Sequence, residues 1–560
     1  MSQAETPNQM EQLQRAVHQL EARTRRNSPS PLFILAIGAL IGAVIATLTI
    51  PRHDGTNTAL RAGRGASGDA ASSDLGGATS GDAALSGSGG AASGASGSAA
   101  GGATGGSAAS GGSAGGSAGG GRAAGSAASG PNNGGIRGVT ATSVKIGLFC
   151  VDTSAFKSID PGYYTGPCKD YINAQVQDIQ KKGQDVINGR KVQYVVRPID
   201  VTHNGAASAQ QGDCDQWAQQ DQLFAVGGDY TGYPCFAQQY HGVTINWSPT
   251  YALDQAQLSS FGPYFFQVGT VLDQIYRNVV AWGDTTGRLK GKRIGIHYPA
   301  SYPSNLVQNV LIGSLHAHGY PTCANLTSTN CIAATTSYNL APGDLSANSA
   351  QPDNEVAIQK YISAKVDMVL MLEGAAAGNQ FTHDAQQQNF HPKYVGFDDT
   401  LMTSDSVSQY YDPDQYNLTP AVSFYRYGER NAGVPLDDAQ ARCISNYENY
   451  AHTKLDYRDN NAQTASSTQK PESPPWQILM DMCDVINALQ AGLQSAGHTL
   501  TPDTLKNALE HLPPVPTDSI NGLGWSPTRH WGGNAVDELA WHRECLCYLR
   551  TTTPVAPYSP

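Results

Sequence analysis

Residues 144–150 read Val-Lys-Ile-Gly-Leu-Phe-Cys, a short apolar run rich in β-branched and aromatic side chains. The segment that follows, residues 163–182, instead places its apolar residues three and four positions apart, which is the spacing of a helix. A buried strand followed by an amphipathic helix is the unit from which parallel sheets are built. This pair therefore predicts an α/β fold with a parallel sheet.

The same alternation recurs in two series along the chain. In the first series, strands and helices are predicted in turn at 192–199, 206–222, 223–226, 234–240, 243–247 and 265–268. In the second series they are predicted at 273–282, 293–297, 305–318, 354–364, 366–372, 378–388 and 393–397. Helical patterns at 437–452, 476–496 and 502–512 follow, and then strand-like runs ending at 540–549. Two series of this kind predict two lobes, each built on a doubly wound parallel sheet.

The composition of the 560 residues changes along the chain. Between 76 and 130, 50 of 55 positions are Gly, Ala or Ser, which leaves too few apolar side chains to form a core. We interpret residues 51–138 as a disordered linker. Residues 136–560 carry 27 basic and 39 acidic side chains. This net negative charge argues against nucleic-acid binding, because it repels the phosphate backbone.

An apolar segment precedes the linker. Residues 32–50 contain no charged side chain, and their number is close to the roughly 20 residues that cross a bilayer as a helix. We interpret them as a single-pass transmembrane helix in the cell membrane, with residues 1–31 cytoplasmic and the C-terminal domain extracytoplasmic. A cleaved signal peptide is the alternative, although residues 50–52, Ile-Pro-Arg, make a poor cleavage site. Gly38 and Gly42 form a Gly-xxx-Gly pair, which gives weak support for a homodimer.

Several short segments occur in an order and spacing typical of one family. They are VKIGLF at 144–149, INGRKV at 187–192, FAVGG at 224–228, SPT at 248–250, KRIGIHY at 292–298, VDMVL at 366–370 and NGLGWS at 521–526. In these segments the chain resembles the type I periplasmic binding proteins, specifically the branched-chain amino-acid receptors that serve ABC transporters. The resemblance extends from about residue 144 to residue 549.

The resemblance implies a two-lobed ectodomain at 139–552. It places the first lobe at about 143–269 plus 401–512, and the second at about 270–400 plus 513–552. Crossovers near residues 269–270 and 399–400 are expected to form a hinge. A ligand that contacts both lobes would then stabilise a closed arrangement of the two.

Candidate ligand-binding residues lie in the loops that follow strands, because ligands of open α/β sheets bind beyond the carboxyl ends of the strands. These residues are Ser154, Tyr164, Asp229, Tyr230, Thr231, Ser248, Thr250, Tyr302, Glu373 and Asp398. The resemblance implies that first-lobe hydroxyl and backbone N–H groups hold a ligand carboxylate, and that Asp398 pairs with the ligand ammonium. Asp229 departs from this pattern, since its charge would repel a carboxylate, and it leaves room for a cationic, neutral or sugar-like ligand. The alternative for each residue is a solvated loop position or a helix cap.

All ten cysteines lie between Cys150 and Cys547, in the part of the chain expected outside the membrane. An even number of cysteines in an oxidising compartment predicts disulfides. The candidate pairs are Cys150 with Cys168, Cys214 with Cys235, and Cys323 with Cys331. Cys545 and Cys547 lie close to His542, but no second cluster has zinc-type spacing, so we predict no metal site.

These observations lead to one functional hypothesis and two alternatives. We expect a membrane-tethered solute-binding protein that captures a small polar ligand, an amino acid or a related compound, and presents it to an ABC-type permease. The sequence has neither an H-E-x-x-H motif nor P-loop spacing, and we expect neither a cofactor nor enzyme activity. The alternatives are a sensory ectodomain that signals or binds a protein partner, and an extracytoplasmic hydrolase, for which no nucleophile and base are evident.

Overall fold

A computed structural model gives the fold of the C-terminal domain. It describes residues 135–154, 166–200, 207–229, 233–247, 253–339, 348–372, 375–398, 402–455, 476–533, 535–552 and 554–558. The predicted cytoplasmic segment, the transmembrane helix at 32–50 and most of the linker at 51–138 lie outside these residues. Among the helices in the described ranges, none combines the length and the apolar character that a membrane span requires.

The described chain begins with a short arm that is docked on the first lobe. The Arg137 side chain donates from Nε to the Leu223 carbonyl at 2.6 Å and from a terminal nitrogen to the Tyr240 carbonyl at 3.0 Å. Its guanidinium carbon lies 4.7 Å from the centroid of the Phe236 ring, which is the geometry of a cation–π contact. The folded domain therefore begins slightly before the predicted end of the linker at 138.

The first lobe is built on a six-stranded sheet. Its strands are β1 (Ser143–Asp152), β2 (Val186–Ile187), β3 (Arg190–Asp200), β4 (Ala225–Asp229), β5 (Val243–Asn246) and β6 (Phe265–Gln267), in the order β2-β3-β1-β4-β5-β6. Every neighbouring pair is parallel except β2 and β3. β1 is central because its apolar residues, such as Ile146 and Leu148, are buried and it pairs with strands on both sides.

Four helices connect these strands. They are α1 (Cys168–Lys181), α2 (Ala207–Asp215), α3 (Pro234–Tyr240) and α4 (Gln255–Ser260). α2 continues as a π-helical segment, Gln216–Gln220, where Trp217 is buried and stacks on Phe149 with 4.2 Å between ring centroids. The predicted helix at 206–222 is therefore present, but its last turn is widened.

The chain then crosses into the second lobe. Its elements are α5 (Leu272–Thr285), β7 (Arg293–Pro299), a π-helical segment Leu306–Ile312 that runs into α6 (Gly313–Ala317), β8 (Cys331–Tyr338), α7 (Gln351–Ser363), β9 (Met368–Met371), α8 (Ala375–Gln387) and β10 (Lys393–Val395). The four strands are parallel, in the order β10-β9-β7-β8. The sequence patterns miss β8, because it is an edge strand and its sequence, CIAATTSY, is rich in small and polar residues.

After β10 the chain remains in the second lobe. It forms α9 (Asp405–Ser408), α10 (Pro413–Tyr416) and β11 (Pro420–Ser423) there, and the next helix, α11 (Tyr427–Asn431), follows the point at which the chain leaves this lobe. Met402, Val407 and Tyr416 share a buried core with Val369 of β9, and Phe424 lies in the neighbouring second-lobe core. The structure thus corrects the expected return to the first lobe at 401, which occurs only after residue 424.

The last part of the chain contributes to both lobes. Three helices pack on the first sheet: α12 (Asp438–Ala451), α13 (Trp476–Ser495) and α14 (Pro502–Glu510). The same core contains Ile520, Leu523 and Trp525. These three residues therefore belong to the first lobe, although residues 513–552 were expected in the second. The strands β12 (Asp537–His542) and β13 (Cys547–Arg550) then pair antiparallel in the order β11-β12-β13. A parallel bridge between Gly396 and Ala421 connects this small sheet to β10.

Five disulfides use all ten cysteines. Three are the predicted pairs, Cys150–Cys168, Cys214–Cys235 and Cys323–Cys331. The two others are Cys443–Cys483, which joins α12 to α13, and Cys545–Cys547, in the turn between β12 and β13.

The Cys443–Cys483 bridge is expected to be the main covalent stabiliser of the first lobe, because it spans 40 residues whereas Cys150–Cys168 and Cys214–Cys235 span 18 and 21. In the second lobe, Cys323–Cys331 spans only 8. Loop-closure entropy then predicts that Cys443→Ala/Cys483→Ala lowers the free energy of unfolding by about 4 kcal/mol and Cys323→Ala/Cys331→Ala by about 2.5 kcal/mol. Urea unfolding of the two variants and the parent chain measures both losses. Equal losses, or a larger loss for the shorter loop, would contradict this ordering.

Candidate functional site

The predicted ligand-binding residues of the first lobe follow adjacent parallel strands. Asp229 ends β4 opposite Cys150 of β1, and Ser154 follows β1 at the same edge of the sheet. Ser154 is exposed, and its backbone N–H donates to Asp152 Oδ1 at 2.8 Å, which fixes the start of the loop. Both positions therefore lie toward the carboxyl end of the sheet.

Two predicted residues of the second lobe lie at the corresponding edge of the second sheet. Tyr302 follows β7, where it is half-buried against the second-lobe core and its N–H donates to the Pro299 carbonyl at 3.0 Å. Asp398 follows β10. The other predicted positions lie outside the described residues: Tyr164, Tyr230, Thr231, Ser248, Thr250 and Glu373.

The Asp398 carboxylate is buried and is bound by groups of the protein itself. Its Oδ1 accepts a hydrogen bond from the Thr403 hydroxyl, and its Oδ2 accepts from the Ser423 hydroxyl and, at 2.8 Å, from the Phe424 N–H. Only 1% of the residue is exposed. Asp398 therefore connects the end of β10 to the segment in which the chain leaves the second lobe. Its pairing with a ligand ammonium stays a prediction.

Burial governs the charge of this carboxyl group. Removal from water raises the pKa of Asp398 to about 6, and the hydrogen bonds from Ser423, Thr403 and Phe424 oppose that shift. A carboxylate held by neutral donors in a buried site is stable only while all of those donors remain in place. The geometry around Asp398 is thus rigidly specified.

Within the described residues, the chain crosses between the lobes at about 267–271, 424–427 and 532–536, and the crossovers contact one another. The Gly532 N–H lies 3.2 Å from the Gln267 carbonyl and 3.1 Å from the Gly269 carbonyl. Gly533 has φ +87°, and a Cβ built on it would lie 2.6 Å from Phe424 Cδ1. The crossover expected at 269–270 is present. A second crossover lies at 424–427, and the residues at which it was expected, 399–400, lie outside the described part of the chain.

A second buried carboxylate, in the first lobe, holds the segment 518–519, whose Ser519 carbonyl accepts a hydrogen bond at 2.9 Å from the Arg426 N–H of the second crossover. Asp484 of α13 accepts from the Asp518 N–H at 2.6 Å, and from the Ser519 N–H at 2.9 Å and hydroxyl at 2.6 Å. The indole N–H of Trp247 in turn donates to the Ser519 hydroxyl at 3.2 Å. Asp484 thus repeats on the first lobe the arrangement of Asp398 on the second.

Ion pairs add a third connection between the lobes. Arg426 lies 2.9 Å from Glu429 and 2.7 Å from Asp437, the N-cap of α12 in the first lobe. Glu429 also accepts a hydrogen bond from Arg550 of β13 in the second lobe. Since Glu429 is only 1% exposed, this network fixes the second crossover by buried charge pairs.

Other polar features of the described residues lie away from this edge. A groove of about 480 Å³ between α7 and α8 is lined by Glu355, Val356, Gln359, Asp384, Gln387 and Gln388. Atoms of Cys443, Cys483 and Asp518 lie close enough together to share a metal ion, but both sulfurs belong to one disulfide. Neither feature resembles the predicted ligand site.

Sequence reasoning missed the residues that hold the crossovers. One pattern pointed to them, because Asp481 and Asp484 interrupt the apolar sequence ILMDMCDVI of α13, and both are buried. A carboxylate on the apolar face of a helix must meet donors from another segment. The sequence does not identify those donors, since Ser519 is 35 residues away.

Comparison with known proteins was made by family, by sequence and by structure. No family model matches the chain, and no curated protein sequence matches it. One similar structure is a solute-binding protein of an ABC transporter from Rhodopseudomonas palustris BisB5, solved with 3,4-dihydroxybenzoic acid. The two chains are 15% identical and superpose with a TM-score of 0.51, and the superposition covers 75% of this chain and 98% of the other. An R. palustris solute-binding protein solved with 4-hydroxybenzoate gives a TM-score of 0.51 at 11% identity, with 74% and 98% covered.

A third similar structure is described as a possible leucine/isoleucine/valine-binding protein from Rhodopirellula baltica, with a TM-score of 0.50, 12% identity, and 74% and 97% of the two chains covered. These neighbours are covered almost completely, and the unmatched quarter of this chain is comparable in size to residues 1–134. The described domain therefore has the α/β fold of the type I periplasmic binding proteins, with its two parallel sheets.

The close approach of Gly533 to Phe424 predicts that adding a methyl group at Gly533 destabilises the fold. Gly533→Ala is expected to lower the free energy of unfolding by about 3 kcal/mol, because left-handed backbone strain adds to the clash with Phe424. Gly497 has a similar φ of +73° but no atom within 4 Å of a built Cβ. Gly497→Ala should therefore lower the free energy of unfolding by only about 1 kcal/mol. Urea unfolding of the two variants measures both losses. Equal losses would show that the crossovers relax around the added methyl group.

The raised pKa of Asp398 predicts a pH-dependent contribution to stability. In the folded chain the Asp398 carboxyl binds its proton below about pH 6, whereas in the unfolded chain it does so only at lower pH. Protonation of Asp398 therefore adds to the free energy of unfolding at acidic pH, and this contribution is lost as pH rises through 6. Relative to Asp398→Asn, the parent chain should lose about 1 kcal/mol between pH 5 and pH 8. Urea unfolding at both pH values measures this difference.

Thr403→Val serves as the matched variant for that measurement. The Thr403 hydroxyl bond holds the pKa of Asp398 down, so its removal should move the pH-dependent step to higher pH. A difference between the parent and Asp398→Asn that stays constant from pH 5 to pH 8 would contradict the assignment.

Proposed function

We propose that this chain is an extracytoplasmic solute-binding protein, held at the cell membrane by a helix at 32–50. A small polar ligand binds between the two lobes, and the closed form is presented to an ABC-type permease. The protein binds its ligand without chemical change.

The observation that carries the proposal is the pair of parallel sheets joined by three short crossovers. Each sheet has its own buried core, and the crossovers meet where Gly532 contacts Gln267 and Gly533 approaches Phe424. Two rigid bodies joined in this way open and close about the crossovers, and a ligand that contacts both stabilises the closed form. The predicted residues Ser154, Tyr302 and Asp398 follow strands at the edges where such a ligand binds.

The similar structures support a ligand that carries a carboxylate. Two of them were solved with hydroxybenzoates, and a third is described as a candidate receptor for branched-chain amino acids. We therefore propose a small carboxylic acid, either an amino acid or an aromatic acid. Donors for its carboxylate would come from Ser154, Thr231, Ser248 and Thr250, with Tyr164 and Tyr230 available for ring contacts.

The linker at 51–138 would keep the binding domain near its permease. Gly/Ser-rich chains behave as flexible coils, which confine a tethered domain to a small volume above the membrane. Confinement raises the effective concentration for the encounter with a membrane partner. A sensory role would instead require a conformational change to pass through this linker, for which a flexible chain is poorly suited.

The proposal is tested by a thermal-shift screen of the purified chain, with disulfides intact, against amino acids, hydroxybenzoates, polyamines and sugars. A true ligand at a hundredfold excess over its Kd should stabilise the native state by about 2.7 kcal/mol. Tyr302→Ala should weaken the binding of that ligand by about tenfold, since the ring lies at the predicted edge of the second sheet.

The matched control is Tyr264→Ala. Tyr264 is also half-buried, but it precedes β6 and its hydroxyl donates to Asp503 at 2.7 Å, at the opposite end of the strand. Binding should be unchanged in this variant. Loss of affinity in both variants, or a screen in which no compound shifts the melting temperature, would count against the solute-binding proposal.

A further inference from the structure

The disulfide between Cys545 and Cys547 lies away from the proposed ligand site. The pair lies in the turn between β12 and β13, with the single residue Leu546 between the two cysteines. In the β11–β12 ladder, Asp537 pairs with Ser423 beside the crossovers, whereas Ala540 pairs with Pro420 at the other end. His542 and the turn therefore lie at the end of the second lobe remote from the crossovers.

This disulfide is also more accessible than most of the others. Both residues of Cys150–Cys168, Cys214–Cys235 and Cys443–Cys483 are buried. Cys545 is half-buried whereas its partner Cys547 is 3% exposed, so the two residues of the pair differ in exposure. Cys323–Cys331 has the same combination of exposure, but its loop spans 8 residues.

The hairpin does not need this disulfide to remain in place. The Trp541 indole N–H donates to the Ser408 carbonyl at 2.9 Å, and the Tyr548 hydroxyl lies 2.9 Å from that of Tyr416. The Leu418 N–H donates to the Trp541 carbonyl at 2.8 Å. A ring closed over a single residue also restricts the unfolded chain least among the five disulfides. The bridge therefore contributes little to folding, and its opening would leave the strands paired.

A histidine lies directly opposite the buried cysteine. In the β12–β13 ladder His542 pairs with Cys547, and side chains at paired positions lie on the same face about 5 Å apart. The other charges of this turn are Glu544, whose carboxylate lies 3.7 Å from His542 Nδ1, and Arg543, which pairs with Asp414 at 2.9 Å. A histidine beside a cysteine stabilises the thiolate when the ring carries its proton.

We propose that Cys545–Cys547 is a thiol-exchange site, at which an incoming thiolate forms a mixed disulfide with Cys545 while His542 stabilises the Cys547 thiolate. The thiolate sulfur bonds to Cys545 Sγ, the bond between the two Sγ atoms breaks, and its electron pair leaves on Cys547 Sγ, which then takes a proton from His542 or water. The reaction needs no oxidant, because one disulfide and one thiol become another disulfide and another thiol. This site is independent of the proposed solute-binding function.

The test uses the full-length oxidised chain, in native buffer, with limiting glutathione or with a short peptide that carries one cysteine. After alkylation and digestion, mass spectrometry locates each adduct and each released thiol. We expect the adduct on Cys545 and the free thiol on Cys547, formed about tenfold faster than any product at Cys323–Cys331. His542→Gln should slow the exchange by about tenfold without changing which cysteine carries the adduct.

Comparing glutathione with the cysteine peptide shows whether the incoming thiolate comes from a small molecule or from a protein. Exchange with glutathione supports a small-molecule thiol, and exchange with the peptide alone supports a protein cysteine. Cys323→Ser/Cys331→Ser should leave the adduct unchanged, whereas Cys545→Ser/Cys547→Ser should abolish it. Reaction at Cys323–Cys331 at an equal rate, an adduct on Cys547, or no exchange in the native chain would overturn the proposal. None of these outcomes depends on the thermal-shift screen.

Discussion

Two buried carboxylates, Asp398 and Asp484, determine how the two lobes are joined. Each lies in a different lobe, and each accepts hydrogen bonds from a serine hydroxyl and from backbone N–H groups in or beside a crossover. A buried carboxylate is costly unless donors surround it, and a buried N–H is costly unless it has an acceptor. Each carboxylate therefore fixes the path of the chain, and the backbone in turn fixes the carboxylate. The close approach of Gly532 and Gly533 to Val268 and Phe424 depends on this arrangement, because only glycines fit where the three crossovers meet.

The larger cores and all five disulfides lie within single lobes. The first sheet packs with α12–α14 in one core, and the second sheet packs with β11–β13 in others. Three disulfides lie in the first lobe and two in the second, and none of the five crosses between lobes. Covalent constraint thus stiffens each lobe and leaves their relative orientation to the crossovers. The buried Arg426–Glu429–Arg550 network then limits how far the second crossover can deform, since a separated buried ion pair is strongly destabilised.

The sequence predicted the architecture where burial alone determines structure. β1, α1 and the strands at 243–246 and 293–299 were found because continuous apolar runs and helical spacing report burial directly. β8 was missed because Ala, Thr and Ser replace the expected apolar residues at the sheet edge. The lobe boundary at 401 was wrong for a different reason. Residues 402–424 are short helices and one short strand, and their side chains, such as Tyr416, show their lobe only through packing against β9. No local pattern carries that information.

In the candidate site, too, the sequence predicts the position of a side chain along the chain but not the distant groups that it contacts. Strand ends can be predicted, and Ser154, Tyr302 and Asp398 follow β1, β7 and β10 in the structure, while contact of these residues with a ligand stays a prediction. The partners of a side chain at a strand end come from distant segments, and for Asp398 they lie up to 26 residues away. An acidic residue in this position can meet a ligand or hold the chain itself. Asp398 holds the chain, and its carboxylate already has a donor for each oxygen. In the proposed function, specificity for a ligand would then depend chiefly on side chains in the loops beyond the strands, which can vary without disturbing the carboxylates that join the lobes.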